Sequence, residues 1–207
     1  MVFNLLKRFF NKFFKKKKHI KLGFYGPVNS GKSSLANRIC KDWLGEEMSS
    51  VSNIPHETRD VVIKEEVKME NNGKELKFNL VDTPGIATKI DYEDFLKFNM
   101  KEKEAKERAK EATKGVIESI KWLEDVDAVL VVLDSAKSPY DQVNITIIGN
   151  LAAKDIPVLL VGNKIDLKGS NLKRINNAFP QYKVVGVSAL EGKNMEEFYT
   201  ELFNLTD

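Results

Sequence analysis

Residues 26–34 read GPVNSGKSS, set between HIKLGFY (19–25) and LANRICKDW (35–43). The first flank is apolar and β-forming; the second carries apolar residues at helical spacing. A turn after a strand and before a helix points successive backbone N–H groups at one spot, the size of a phosphate. Gly26 and Gly31 let the chain wrap closely. Lys32 is placed for the β- and γ-phosphates, and the Ser33 hydroxyl for a Mg²⁺ ion. Asn29, Ser30 and Ser34 complete the loop. An ordinary glycine turn is the competing reading, and the strand-before, helix-after context argues against it.

Further along, apolar runs alternate with amphipathic stretches. DVVIKEEVKME (60–70) and KELKFNLVD (74–82) alternate with period 2, and ENNGKE between them reads as a hairpin turn. DAVLVVLD (127–134), IPVLLVGN (156–163) and KVVGVS (183–188) are near-continuous apolar runs, as central parallel strands require. Helical stretches fall at 93–124, 140–153, 171–178 and 194–205. The expectation is an α/β fold: a six-stranded, mixed, mostly parallel sheet with helices on both faces. Residues 101–111, KEKEAKERAKE, read as a solvated helical segment held by pairs such as Glu102 with Lys106.

The strand ends carry the chemistry. NLVDTPG puts Asp82 where it can join a Mg²⁺ shell and Gly85 where its N–H can touch a γ-phosphate. LLVGNKID brings Asn163, Lys164 and Asp166 together. A carboxylate accepts from guanine N1–H and its 2-amino group, a donor pair that adenine lacks, so Asp166 selects guanine. The Lys164 stem can lie along the ring. VVGVSAL sets the Ser188–Ala189 backbone toward guanine O6. Four such boxes in this order, each at a strand end, predict a guanine-nucleotide site.

The same stretches, with ETRD at 57–60, resemble the translation-factor-class small GTPases of the Era and TrmE group over residues 19–206. The resemblance implies a P-loop G domain that hydrolyses GTP to GDP with Mg²⁺. It assigns Thr58 to the switch threonine that closes on Mg²⁺ and γ-phosphate. It also implies that Asn29 helps hold a potassium ion, although the family more often has proline immediately before the asparagine and this chain has Pro27-Val28. Ras-like enzymes carry Gln just after the Asp-x-x-Gly glycine; here Ile86 stands there and cannot orient water. Slow intrinsic hydrolysis is therefore expected, with Lys32, Asn29, Thr58 and Gly85 as the candidate catalytic set. Glu93 or Asp94 is an alternative source of water orientation, through dimerisation. The switch segments, near 45–60 and 83–100, are candidates for an effector.

Composition suits one globular domain with an amphipathic head. Residues 1–18, MVFNLLKRFFNKFFKKKK, hold seven Lys/Arg and no acid, while the rest carries 26 basic against 30 acidic residues. On a helical wheel Val2, Phe3, Leu5, Leu6, Phe9, Phe10, Phe13 and Phe14 share one arc of about 180°. Asn4, Lys7, Arg8, Asn11, Lys12 and Lys15 fall opposite. That pattern predicts a helix lying in an anionic membrane interface, with packing on its own domain, or contact with a partner protein or RNA, as alternatives. The expected domains are this head, 1–18, and a G domain, 19–207. RNA is a less favoured partner, because Era-like assembly factors carry an RNA-binding domain after the G domain and none is read here. The lone Cys40 suits a reducing, cytoplasmic setting.

Overall fold

Six runs of β-branched and aliphatic residues pair into one sheet, and the helices between them cover both faces. The structure is a computed structural model that describes residues 20–46, 62–71, 74–83, 101–107, 110, 123 and 125–206. The described elements are β1 (Ile20–Tyr25), α1 (Lys32–Leu44), β2 (Val62–Asn71), β3 (Lys74–Asp82), β4 (Ala128–Asp134), α2 (Gln142–Ala153), β5 (Val158–Asn163), α3 (Leu172–Ala178), β6 (Lys183–Gly186) and α4 (Met195–Thr206). The sheet order is β2-β3-β1-β4-β5-β6. Only β2 and β3 run antiparallel; the other neighbours are parallel.

Side-chain alternation divides the core in two. Leu22 and Phe24 of β1, with Leu130 and Val132 of β4, pack under α1 and α4 around Leu35, Ile39, Phe198 and Leu202. Val129, Val131 and Leu133 face the other way, onto Val143, Ile147 and Leu151 of α2 and Ile175 of α3. Strands buried on both faces explain why the sequence of β4 shows no polar alternation.

Two helices are started by their own side chains. The Asp141 carboxylate accepts from the Val143 N–H at 2.8 Å, which places the start of α2 two residues inside the expected 140–153. Asn171 does the same for Arg174 at the start of α3. Gly162 and Gly186 face each other across β5 and β6. Leu172 lies over both, so an added Cβ would come within 2.4 and 2.2 Å of its methyls.

Residues 102–107 are helical, and Glu102 pairs with Lys106 at 2.5 Å as expected. The segment is not solvated on every side, however: Ala105 is fully buried, so one face of it packs. Two alanines among nine charges, Ala105 and Ala109, were too slight a signal to mark that face. The hairpin expectation falls on residues 72 and 73, outside the described residues, although Asn71 pairs with Lys74 around them. Among the described residues no helix is long and apolar enough to cross a membrane.

Candidate guanine-nucleotide site

Parallel register collects the ends of five strands along one edge, the usual location of ligands in such sheets. Phe24 pairs with Asp82, Tyr25 with Val131, Asp134 with Asn163 and Gly162 with Gly186. The loop from Gly26 to Gly31 rises from this edge into α1.

Both glycines of the loop are dictated by neighbouring strands. Gly26 has φ +147°, and a Cβ there would sit 2.2 Å from the Val132 carbonyl oxygen. Gly31 has φ +94°, and its Cβ would meet the Asn163 side-chain nitrogen at 2.2 Å. Gly31 also occupies the N-cap of α1 without a side-chain cap, so a bound anion can reach the first turn's N–H groups.

Lys32 folds back over the loop. Its Nζ donates to the carbonyls of Pro27 at 3.0 Å and Gly26 at 3.3 Å. Burial lowers its pKa to about 8, opposed by the nearby Asp82 charge. An ammonium whose hydrogen bonds, among the described residues, go to two neutral carbonyls is poised for a phosphate.

Asp82 supplies the test of metal fit. Its carboxylate is fully buried, and neither oxygen meets hydrogen-bond geometry with a described residue. Burial raises its pKa, against the pull of the Ser33 hydroxyl and the Lys32 charge. A buried carboxylate beside a serine hydroxyl has the donor chemistry that suits a hard divalent cation such as Mg²⁺. Next to it, the Thr83 hydroxyl donates to the Phe24 carbonyl at 2.5 Å and ties β3 to β1.

At the other end, Asn163 braces the two loops. Its Nδ2 donates to the Ser30 carbonyl at 3.0 Å, and its Oδ1 accepts from the Ala189 N–H at 3.0 Å. The sequence placed Asn163 among the nucleotide contacts and the Ala189 amide against O6. In the structure each is engaged with the other, joining the phosphate loop to the base loop. Lys164, at φ +66°, reaches across to the Asn29 carbonyl at 2.6 Å and Asp134 Oδ2 at 2.8 Å. Its stem thus spans the gap between the two loops, where a base would lie.

Asp166 is partly exposed at this end, and Ser188 is fully buried. The Ser188 hydroxyl, hydrogen-bonded to Asp166, holds that carboxyl below its ordinary range, with lesser help from Lys193 and Lys164. The carboxylate is therefore ionised and ready to accept two N–H groups, as guanine requires. Sequence reasoning missed Asp134 and Thr83. A signal for Asp134 existed, since an acid at the end of a central strand lies on the ligand edge. Thr58, Gly85, Ile86, Glu93, Asp94 and the head, 1–18, lie outside the described residues.

A phosphate loop, a buried metal-competent carboxylate and a guanine-selecting carboxylate on one sheet edge define a P-loop GTPase G domain. The chain belongs to the family described as 50S ribosome-binding GTPase, which residues 21–164 match. It is 33% identical over 179 residues to GTPase Era of Alkaliphilus oremlandii, covering 82% of this chain and 50% of that one. It is 31% identical over 185 residues to the tRNA modification GTPase MnmE of Chlorobium chlorochromatii, covering 87% of this chain and 33% of that one. The chain thus spans half or less of the length of these relatives. Among solved structures, an Era variant from Aquifex aeolicus bound to GDP·AlF4⁻ superposes with TM-score 0.70 at 23% identity, over 91% of this chain and 57% of that one. Era in complex with MgGDPNP and a 16S ribosomal RNA fragment gives 0.69 at 23%, with the same coverage.

Proposed function

We propose that this chain hydrolyses GTP to GDP and phosphate as a Mg²⁺-dependent switch, working at an anionic membrane surface on its cytoplasmic face. The observation that carries the nucleotide half is the combination of a buried Asp82 beside Ser33 and Lys32 with an ionised Asp166 at the far end of the same loop system. Lys32 binds the β- and γ-phosphates, Ser33 and Asp82 hold the metal, and Asp166 holds the base. Thr58 and Gly85 close on the γ-phosphate. Mg²⁺, when bound, neutralises charge developing on the phosphate oxygens.

The N–H groups opening α1 and the loop amides orient the triphosphate, and positioning is the larger part of catalysis in this reaction class. Water orientation is assigned to Asn29 with a potassium ion, in place of a glutamine at position 86. Single-turnover hydrolysis is the test. The rate should be higher in potassium than in sodium, and Asn29→Ala should erase the difference. Equal rates in both salts remove the potassium role, and no turnover at all reduces the chain to a GTP-binding module.

The membrane half rests on the sequence of residues 1–18, whose apolar and basic arcs separate cleanly. Flotation with anionic vesicles, in GDP and in a non-hydrolysable GTP analogue, tests it. Failure to co-float in either state removes it. The switch segments, 45–60 and 83–100, are the surface assigned to a protein effector or to a second copy in a nucleotide-dependent dimer. A second reading, ribosome or RNA assembly, is favoured by the similarity to Era, one structure of which contains 16S ribosomal RNA. Retention of an RNA fragment at physiological salt, without vesicle binding, would move the conclusion there.

A further inference from the structure

We propose that Arg38 is a positioning residue for the guanine end of the site, an inference that rests on the guanine-nucleotide reading above. Arg38 lies on α1, the helix that opens with Lys32 and Ser33. Its Nε donates to the Ala189 carbonyl at 3.0 Å and its Nη2 to the Leu190 carbonyl at 2.8 Å. These groups are 151 and 152 residues away in sequence. A planar guanidinium gripping two successive carbonyls fixes direction as well as distance.

Direction matters because a trans peptide carries its carbonyl and the following N–H on opposite sides. Pinning the Ala189 carbonyl toward α1 turns the Leu190 N–H away from α1. The Ala189 N–H is already donating to Asn163 Oδ1. Arg38 therefore sets which way the loop presents its remaining donor to guanine O6.

The clamp is itself held. Nη1 of Arg38 lies 3.6 Å from Asp42, one helical turn on. The other Asp42 oxygen accepts from the Tyr199 hydroxyl of α4 at 2.6 Å. On the loop side, Gly192 takes φ +72°, and a Cβ there would lie 3.2 Å from the guanidinium carbon. The Gly192 N–H donates to the Ser188 carbonyl at 2.7 Å, closing the loop on itself. The result is a rigid span from the phosphate-binding helix to the base-facing loop.

The experiment uses the full chain, a fluorescent GDP for dissociation rates, and competition by GDP and 6-thio-GDP, whose sulfur replaces O6 as a weaker acceptor. Arg38→Ala should speed GDP release about tenfold, the scale of losing hydrogen bonds from a charged donor. It should also shrink the preference for GDP over 6-thio-GDP toward unity. Arg38→Lys, which can serve one carbonyl but not both, should recover part of each effect. If the GDP to 6-thio-GDP ratio stays at the wild-type value in both variants, even with a lowered Tm, Arg38 is only a brace and the proposal falls. Should Arg38→Ala fail to fold, Arg38→Lys carries the same comparison. A wild-type chain with no guanine preference would sink the underlying site assignment instead, so the two failures are distinct.

Discussion

Asn163→Ala removes a buried side chain that joins both halves of the site. The Ser30 carbonyl and the Ala189 N–H would each lose a partner now at 3.0 Å. Asn163 is 3% exposed, so neither group gains ready access to water. An unsatisfied buried polar group costs about 1–3 kcal/mol. Two of them give about 2–6 kcal/mol, with water entering the vacated space setting the lower end. For a domain of this size that is a Tm loss of roughly 5–20 °C. Calorimetry of the nucleotide-free protein measures it. The side chain also blocks position 31, where an added Cβ would meet Asn163 Nδ2 at 2.2 Å. Gly31→Ala should therefore cost less in the Asn163→Ala background than alone, and the double-mutant cycle isolates that coupling. A Tm change under about 2 °C in the single variant, with no coupling in the cycle, would refute the brace.

The other expectations are simpler. Asp166→Asn should weaken GDP binding about tenfold to a hundredfold and favour xanthosine nucleotides, because a charge-assisted acceptor pair is lost; calorimetry showing an unchanged preference for guanosine over adenosine nucleotides would overturn the base assignment. Ser188→Ala should move the acid limb of GDP affinity to higher pH. The Asp166 carboxyl is held below its ordinary 3.8 mainly by that hydroxyl, so its contribution is present above 3.8 and is lost as pH falls through the lower folded value. A titration with the same midpoint in both proteins would contradict this. Cys40, buried and with its thiol pushed up to about 11 by that burial, should react with a disulfide reagent only as fast as the domain opens. Prompt labelling of the native protein would show the core to be looser than described.

What was legible in the sequence follows the range of the forces involved. β3 runs Lys74–Asp82, the stretch its alternation marks, because β2 pairs along it from end to end, while β1 joins only over Phe78–Asp82, where Leu80, Val81 and Asp82 are all buried. The β6 run was expected to continue to Ser188, but pairing stops at Gly186. The Val187 N–H turns to the Gly162 carbonyl, and Ser188 bridges to Lys193 instead. The phosphate loop was legible because its glycines and lysine are contiguous. The braces were not: Asn163 to Ser30, Lys164 to Asn29, Asp134 to Lys164 and Arg38 to Ala189 join residues brought together only by the finished sheet. Each is an ordinary polar residue until its partner is known. Ala105 is the same case in apolar form, since two alanines four apart in KEKEAKERAKE mark a face too small to read as one that will be covered.

Gly162 and Gly186 carry a consequence for how base preference could drift. Leu172 settles onto these two bare backbones, with Ile165 beside Gly186. A methyl at either glycine would act as a wedge, lifting α3 and the segment that leads into it from Asp166. Every atom that touches a nucleotide would keep its identity while the gap between them widened. A lineage could in this way loosen its hold on guanine without altering any residue of the motifs by which the site is recognised.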